Sequence, residues 1–368
     1  MKALVHLGMP KTGTTAIQTW LSENQTQLRA QGVGYDRASA ALKPKRSAHA
    51  ELSLCVAEKA DKLIENKSLR LLYDVHDRES QRAFVNDYEN LFAKKVASIK
   101  AEKVVLSSEY LGAGLKSPSR VLALTEWLKP YFEEVQYIIY FRRQEDLVLS
   151  GYSQRLKGGY SKDFDDFFQS AAKLNFASIV RRWHNVVDPH DMDVRLFERD
   201  WMVGGDAIDD FAHAIGADVQ NTKRPAFSNE SLGLAAQHLL RAINETVPHT
   251  VNAGKKFNLE KADLRKAIMH HPNGGSKRVL SEAQVNHIRL MNEEGNAELR
   301  EMCFPERAEL FPPRDKPTQQ PDTDTAANVA KMAADIIAER LEQSGSGAST
   351  VAGRKKRLLN WGRSQLGE

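Results

Sequence analysis

Along the first two hundred residues, short apolar runs alternate with stretches whose apolar positions recur at helical spacing. The first run, Ala3-Leu4-Val5-His6-Leu7, stops at Gly8, and Ile17, Trp20 and Leu21 then share one helical face. Lys103 to Ser108, Val135 to Phe141 and Met192 to Phe197 read as further strands. Helices are predicted from about His49 to Asn66, Arg78 to Ala97, Pro118 to Leu128 and Glu145 to Leu156, and a further one carries Phe176, Ile179, Val180 and Trp183. Strands separated by helices need crossover connections, so the pattern predicts an α/β fold of three layers with a central parallel sheet between helices. From Ala207 the pattern turns helical: Ala207 to Ile215, Ser231 to Asn244, Leu259 to Met269 and Glu282 to Arg300. The expected organisation is one domain over 1–311 (core 1–200, helical portion 201–311) and a proline-rich linker over 312–325. An amphipathic helix over 326–343 (Val329, Met332, Ile336, Leu341) and a flexible basic tail over 344–368 follow.

Ligands of parallel sheets gather at the C-terminal ends of the strands, where the polar motifs of this chain also fall. Gly8-Met9-Pro10-Lys11-Thr12-Gly13-Thr14-Thr15 joins the first strand to the first helix. It offers backbone N–H groups, a cation and hydroxyls at a positively polarised helix start, which suits a tetrahedral anion. The Gly8-to-Gly13 spacing fits the start of the nucleoside triphosphate loop, but the end differs. That loop needs Lys and then Ser or Thr after its second glycine, to reach the β/γ-phosphates and to hold Mg²⁺. Here Thr14 follows Gly13 and the lysine stands mid-loop, at Lys11.

The Pro10-Lys-Thr-Gly-Thr-Thr15 run resembles the 5′-phosphosulfate loop of sulfotransferases that use 3′-phosphoadenylyl sulfate (PAPS). The likeness extends through R-R-Q-E-D-L-V-L-S-G-Y-S-Q after Phe141, W-H-N at Trp183, V-R-L-F-E-R ending near Glu198 and N-E-S-L at Asn229. It implies the P-loop-like sulfotransferase architecture with PAPS as sulfuryl donor and no metal. Pro10, Lys11, Thr12, Gly13, Thr14 and Thr15 then hold the donor's phosphosulfate, and Lys11 stabilises charge on the bridging oxygen. Arg142 and Ser150 hold its 3′-phosphate, with Arg143 a second candidate. An acceptor hydroxyl, or amine, needs a base. Glu109, just after the strand Lys103 to Ser108, is one candidate, and His49, following the basic Leu42–Ser47 loop, is the other. Ser107 and Ser108 are read as modulating Lys11 or contacting the nucleotide. The late glycine-rich nucleotide loop of the human cytosolic branch is not found; Asn273 to Arg278 either does similar work or is a surface turn.

Composition changes this picture little. The 368 residues are 41% hydrophobic and 27% charged with a net charge of +4, so no nucleic-acid field is implied. The two cysteines, Cys55 and Cys303, read as buried thiols. Asp163-Phe-Asp165-Asp166 reads as an amphipathic helix start, not a metal motif, because Phe164, Phe167 and Phe168 interleave with the acids. No apolar run has membrane-spanning length, and Met1 leads almost directly into the first strand. A cytoplasmic location is expected. Arg354 to Arg357, with Leu358, Leu359 and Trp361, suit either a solvated tail or peripheral contact with the inner face of an anionic membrane. The acceptor is expected to be a carbohydrate or small metabolite, and the oligomeric state is left open. A small-molecule kinase using ATP and Mg²⁺, and a non-catalytic nucleotide or partner binder, are the alternatives.

Overall fold

The computed structural model describes residues 1–36, 48–226, 231–251, 256–314 and 325–345. Described residues of Met1–Leu147, Leu174–Ser228 and Leu290–Pro312 form one compact unit; those of Val148–Lys173, Asn229–Arg289 and Pro313–Glu368 form a second.

The first unit is built on a five-stranded parallel sheet. β1 is Lys2–Leu7, β2 Val33–Gly34, β3 Lys103–Ser108, β4 Glu134–Phe141 and β5 Met192–Leu196, in the order β2-β3-β1-β4-β5. β1, β3 and β4 carry apolar residues on both sides because helices cover both faces, while β5, at the edge, has Asp193 and Arg195 on one side. On one face Ala3, Val5, Leu7, Val104, Leu106, Ile139 and Phe141 pack with α3 (Leu52–Lys59), α5 (Arg78–Ser98), α6 (Pro118–Leu128) and α9 (Phe176–His184). On the other, Leu4, Val105, Ile138 and Tyr140 meet α1 (Thr14–Glu23), α2 (Gln25–Ala30) and α10 (Ala207–Ala214). The three-layer α/β expectation holds.

The helix expected over His49–Asn66 is shorter. After α3 the chain takes a left-handed residue at Asp61, and a separate helix, α4 (Lys67–Leu72), starts at the Asn66 cap. β2 is missing from the sequence reading because two residues carry no alternation, and Gly32 and Gly34 read as a turn.

In the second unit, α8 (Phe164–Ala171), α11 (Leu234–Thr246), α12 (Leu259–Met269) and α14 (Thr325–Gly345) bury Phe164, Phe168, Leu240, Ile268, Met332 and Ile336 together. A two-stranded hairpin, β6 (Thr250–Val251) and β7 (Lys256–Phe257), precedes α12. α7 (Gln144–Lys157) begins in the first unit and continues in the second, as α13 (Glu282–Cys303) does in the reverse sense. Asp163 caps α8, accepting from the Asp166 N–H at 2.9 Å, so the D-x-D acids serve a helix start. The linker residues 315–324, the basic loop at 42–47 and the tail after 345 lie outside the described residues.

Candidate active site at the strand ends

β1 lies between β3 and β4, so the chain reverses its direction of sheet growth between β1 and β4. Ligands favour such a switch point, at the C-terminal strand ends. The loop after β1 carries Lys11 and the loop after β4 carries Arg142.

The β1–α1 loop is tightly braced. The Thr12 hydroxyl donates to the Met9 carbonyl at 2.9 Å and the Thr14 hydroxyl donates to the same oxygen at 3.2 Å. Both threonines are buried, so their hydroxyls shape the loop, while Pro10 and Thr15 are exposed. Gly13 is the N-cap of α1, in the left-handed region at φ 72°, and caps it with no side chain. A Cβ there would lie 2.8 Å from Ala207 Cβ and 3.1 Å from the Phe197 ring. The first turn of α1 holds no acid. Its leading N–H groups are the orphan donors that an anion satisfies.

Lys11 is also left-handed, at φ 62°, a conformation that strains a residue with a side chain. Its carbonyl accepts from Arg142 Nη1 at 3.0 Å, while Arg142 Nε donates to Asp146 Oδ2 at 3.3 Å. The guanidinium lies over the Phe197 ring, 5.5 Å from its centroid. Burial first, then the Arg142 charge, holds the Lys11 ammonium below the usual lysine value. The two predicted cations thus border one place, and Arg142 already spends two edges of its fork on protein partners. Ser150 is buried on the continuation of α7, in the second unit.

Arg143 has a structural role. It is buried, donating from Nε to Glu198 Oε1 at 3.1 Å and from Nη1 to the Pro312 carbonyl at 2.7 Å. Paired and satisfied, it is closed to a ligand.

Glu109 is exposed and directly follows β3. A Cβ on Gly8 would lie 2.9 Å from Glu109 Cα, so the two main chains touch where the anion loop begins. His49 is placed otherwise. It is buried; Nδ1 accepts from the Ser107 N–H at 3.1 Å, which leaves the proton on Nε2, 3.2 Å from the Asp36 carbonyl. In that arrangement no lone pair is left to receive a proton.

Ser107 and Ser108 are buried as well, at the end of β3. Ser107 Oγ accepts from Gln18 Nε2 at 3.1 Å and shares a hydrogen bond with His6 Nδ1 at 2.8 Å. This trio ties β1, β3 and α1 together beneath the loop. His6, in the middle of an apolar run, gives no sequence signal beyond its polarity. Its ring lies 5.1 Å from the Phe211 ring, and burial lowers its pKa to about 3. The folded state therefore excludes a proton that the unfolded chain accepts near pH 6.5. Stability is complete above that value and falls as pH drops, by about 1.4 kcal/mol per unit. Between pH 7 and pH 5, urea unfolding of the wild type should lose about 2 kcal/mol more than that of His6→Gln.

No family model matches the chain. An uncharacterized protein of Archaeoglobus fulgidus is 27% identical over 109 residues, 29% of this chain and 30% of that protein, so the match spans under a third of the relative's length. Among the solved structures that are similar, two are sulfotransferases. The sulfotransferase domain from the curacin biosynthetic pathway is 11% identical, with 79% of this chain and 96% of that one covered and a TM-score of 0.37. A sulfotransferase from Alicyclobacillus acidocaldarius is 13% identical, with coverage of 62% and 85% and a TM-score of 0.31. Among the described residues no helix is long and apolar enough to cross a membrane, and no cluster of three or more potential metal ligands occurs.

Proposed function

We propose that this chain is a PAPS-dependent sulfotransferase acting on an acceptor hydroxyl or amine, with a carbohydrate or small metabolite as the acceptor class. The observation that carries the reading is the meeting of Lys11 and Arg142 at an α1 start that no side chain caps. Two cationic residues bordering one place, beside N–H groups that no side chain caps, suit an anion with several oxygens. The donor set fits the phosphosulfate end of PAPS, which supplies the sulfuryl group when bound.

The residues divide the work as follows. Main-chain N–H groups of Gly13 to Thr15 receive anionic oxygens, and the inward-turned hydroxyls of Thr12 and Thr14 keep the loop in shape for them. Lys11 places positive charge where a departing phosphate oxygen gains negative charge, which favours the transition state over the ground state. Arg142 and Ser150 are assigned to the donor's 3′-phosphate, by the likeness of their spacing to the Arg and Ser of PAPS-dependent sulfotransferases. Glu109 takes the acceptor's proton, favoured over His49 by its exposure beside the loop. The kinase alternative lacks its lysine after Gly13, where Thr14 stands with its hydroxyl bonded to Met9.

A thermal-shift comparison tests the donor. Adenosine 3′,5′-bisphosphate at a hundredfold excess over its Kd should stabilise the protein by about 2.7 kcal/mol. Adenosine 5′-phosphate at equal concentration should do much less, for want of the 3′-phosphate. A larger shift with ATP and Mg²⁺ than with the bisphosphate overturns the reading in favour of the kinase.

A further inference from the structure

We propose that Asp146 is a positioning residue that, through Arg142, latches the β1–α1 loop in its anion-receiving conformation. The inference deepens the proposed site and rests on the reading of that loop as the anion site. Three observations join. Lys11 holds a left-handed backbone that its side chain disfavours, so something outside the loop must favour it. The contact that fits is Arg142 Nη1, which donates to the Lys11 carbonyl at 3.0 Å; charge-assisted bonds are roughly twice as strong as neutral ones. Arg142 in turn is fixed on two sides. Asp146 Oδ2 accepts from its Nε at 3.3 Å, one helical turn along at i+4, and Phe197 supports the guanidinium face at 5.5 Å.

The pair is only part-exposed, at 29% for Arg142 and 25% for Asp146, so solvent screens it less than a surface pair. Phe197 also touches the space beside Gly13, within 3.1 Å of where a Cβ would stand. Arg142 and Phe197 thus bear on the two left-handed residues of the loop, Lys11 and Gly13, from one side. With its carboxylate, Asp146 keeps the guanidinium from swinging off Lys11. The prediction is that Asp146 touches no ligand and yet governs how well the loop binds one.

Hydrogen exchange of the amide that is bonded to the loop, in the nucleotide-free, full-length protein, reads this directly. In Asp146→Asn, exchange at Ile17, whose N–H donates to the Gly13 carbonyl at 3.0 Å, should rise about tenfold, while amides of β1 and β4 stay at wild-type rates. Asp146→Glu, which keeps the carboxylate, should stay within about threefold of wild type. Glycine adopts the left-handed region freely, so in a Lys11→Gly background the Asp146→Asn effect should shrink to less than about threefold. Unchanged exchange in Asp146→Asn overturns the latch, as does a uniform rise across β1 and β4 or an effect undiminished by Lys11→Gly. The same proteins titrated with adenosine 3′,5′-bisphosphate keep the donor assignment separate. If wild type ignores the nucleotide while the exchange pattern appears as stated, the donor reading fails and the latch stands.

Discussion

Lys11→Ala is expected to lower the rate of sulfuryl transfer about 10²–10³-fold, the size seen when one preorganised electrostatic partner of a transition state is removed. The effect should fall mainly on kcat, because the charge that Lys11 meets develops during bond breaking. The structure adds a second expectation. Residue 11 sits at φ 62°, and alanine is strained there much as lysine is, so the backbone of the loop should survive the substitution. Lys11→Arg keeps the charge but brings a bulkier head beside Arg142, and should recover only part of the rate. Steady-state kinetics checks both. A Lys11→Ala enzyme that loses affinity for the donor with kcat intact places the lysine in ground-state binding only.

Glu109→Gln should lower kcat about 10²–10⁴-fold, the range of positioned general-base catalysis, with little change in affinity for adenosine 3′,5′-bisphosphate. The side chain is exposed and its main chain abuts Gly8, so an isosteric amide leaves the loop undisturbed. The rival residue gives the contrast. His49→Gln breaks a buried bridge to the Ser107 N–H and should destabilise the protein by about 1–3 kcal/mol, the usual result of leaving one buried partner unmet. Its kcat at a temperature where it remains folded should stay near wild type. The reverse pattern, with Glu109→Gln active and folded His49→Gln inactive, moves the base to His49.

Sequence reading reached the elements whose information is periodic. β1, β3 and β4 carry near-continuous apolar runs, β5 alternates apolar and charged residues, and α6 and α12 begin where their N-cap residues stand, Ser117 before Pro118 and Asn258 before Leu259. It reached the anion loop because Lys11, Gly13 and the threonines are packed into eight residues. It did not reach what depends on distant segments meeting. The role of Arg143 is set by Glu198 and by the main chain at Pro312, both far along the chain. The threonine hydroxyls belong to Met9 because the loop curls on itself, which no spacing rule reports. His6, Gln18 and Ser107 meet because β1, α1 and β3 do; alone, His6 and Gln18 carry no signal, and nothing beside Ser107 in the sequence points to either of them. Asp146 reaches Arg142 by an i,i+4 spacing that the sequence shows, whereas only the fold brings Phe197 to it.

The most direct measurement is transfer itself. Protein is incubated with ³⁵S-labelled PAPS and acceptor fractions separated by chemical class, and acid-stable label is counted for wild type, Lys11→Ala and Glu109→Gln. The account predicts label in at least one hydroxyl- or amine-bearing fraction with wild type, strongest among carbohydrates or small metabolites, and near-background label with both variants. Equal labelling by wild type and Lys11→Ala, or no label in any fraction from a protein that binds adenosine 3′,5′-bisphosphate tightly, contradicts it.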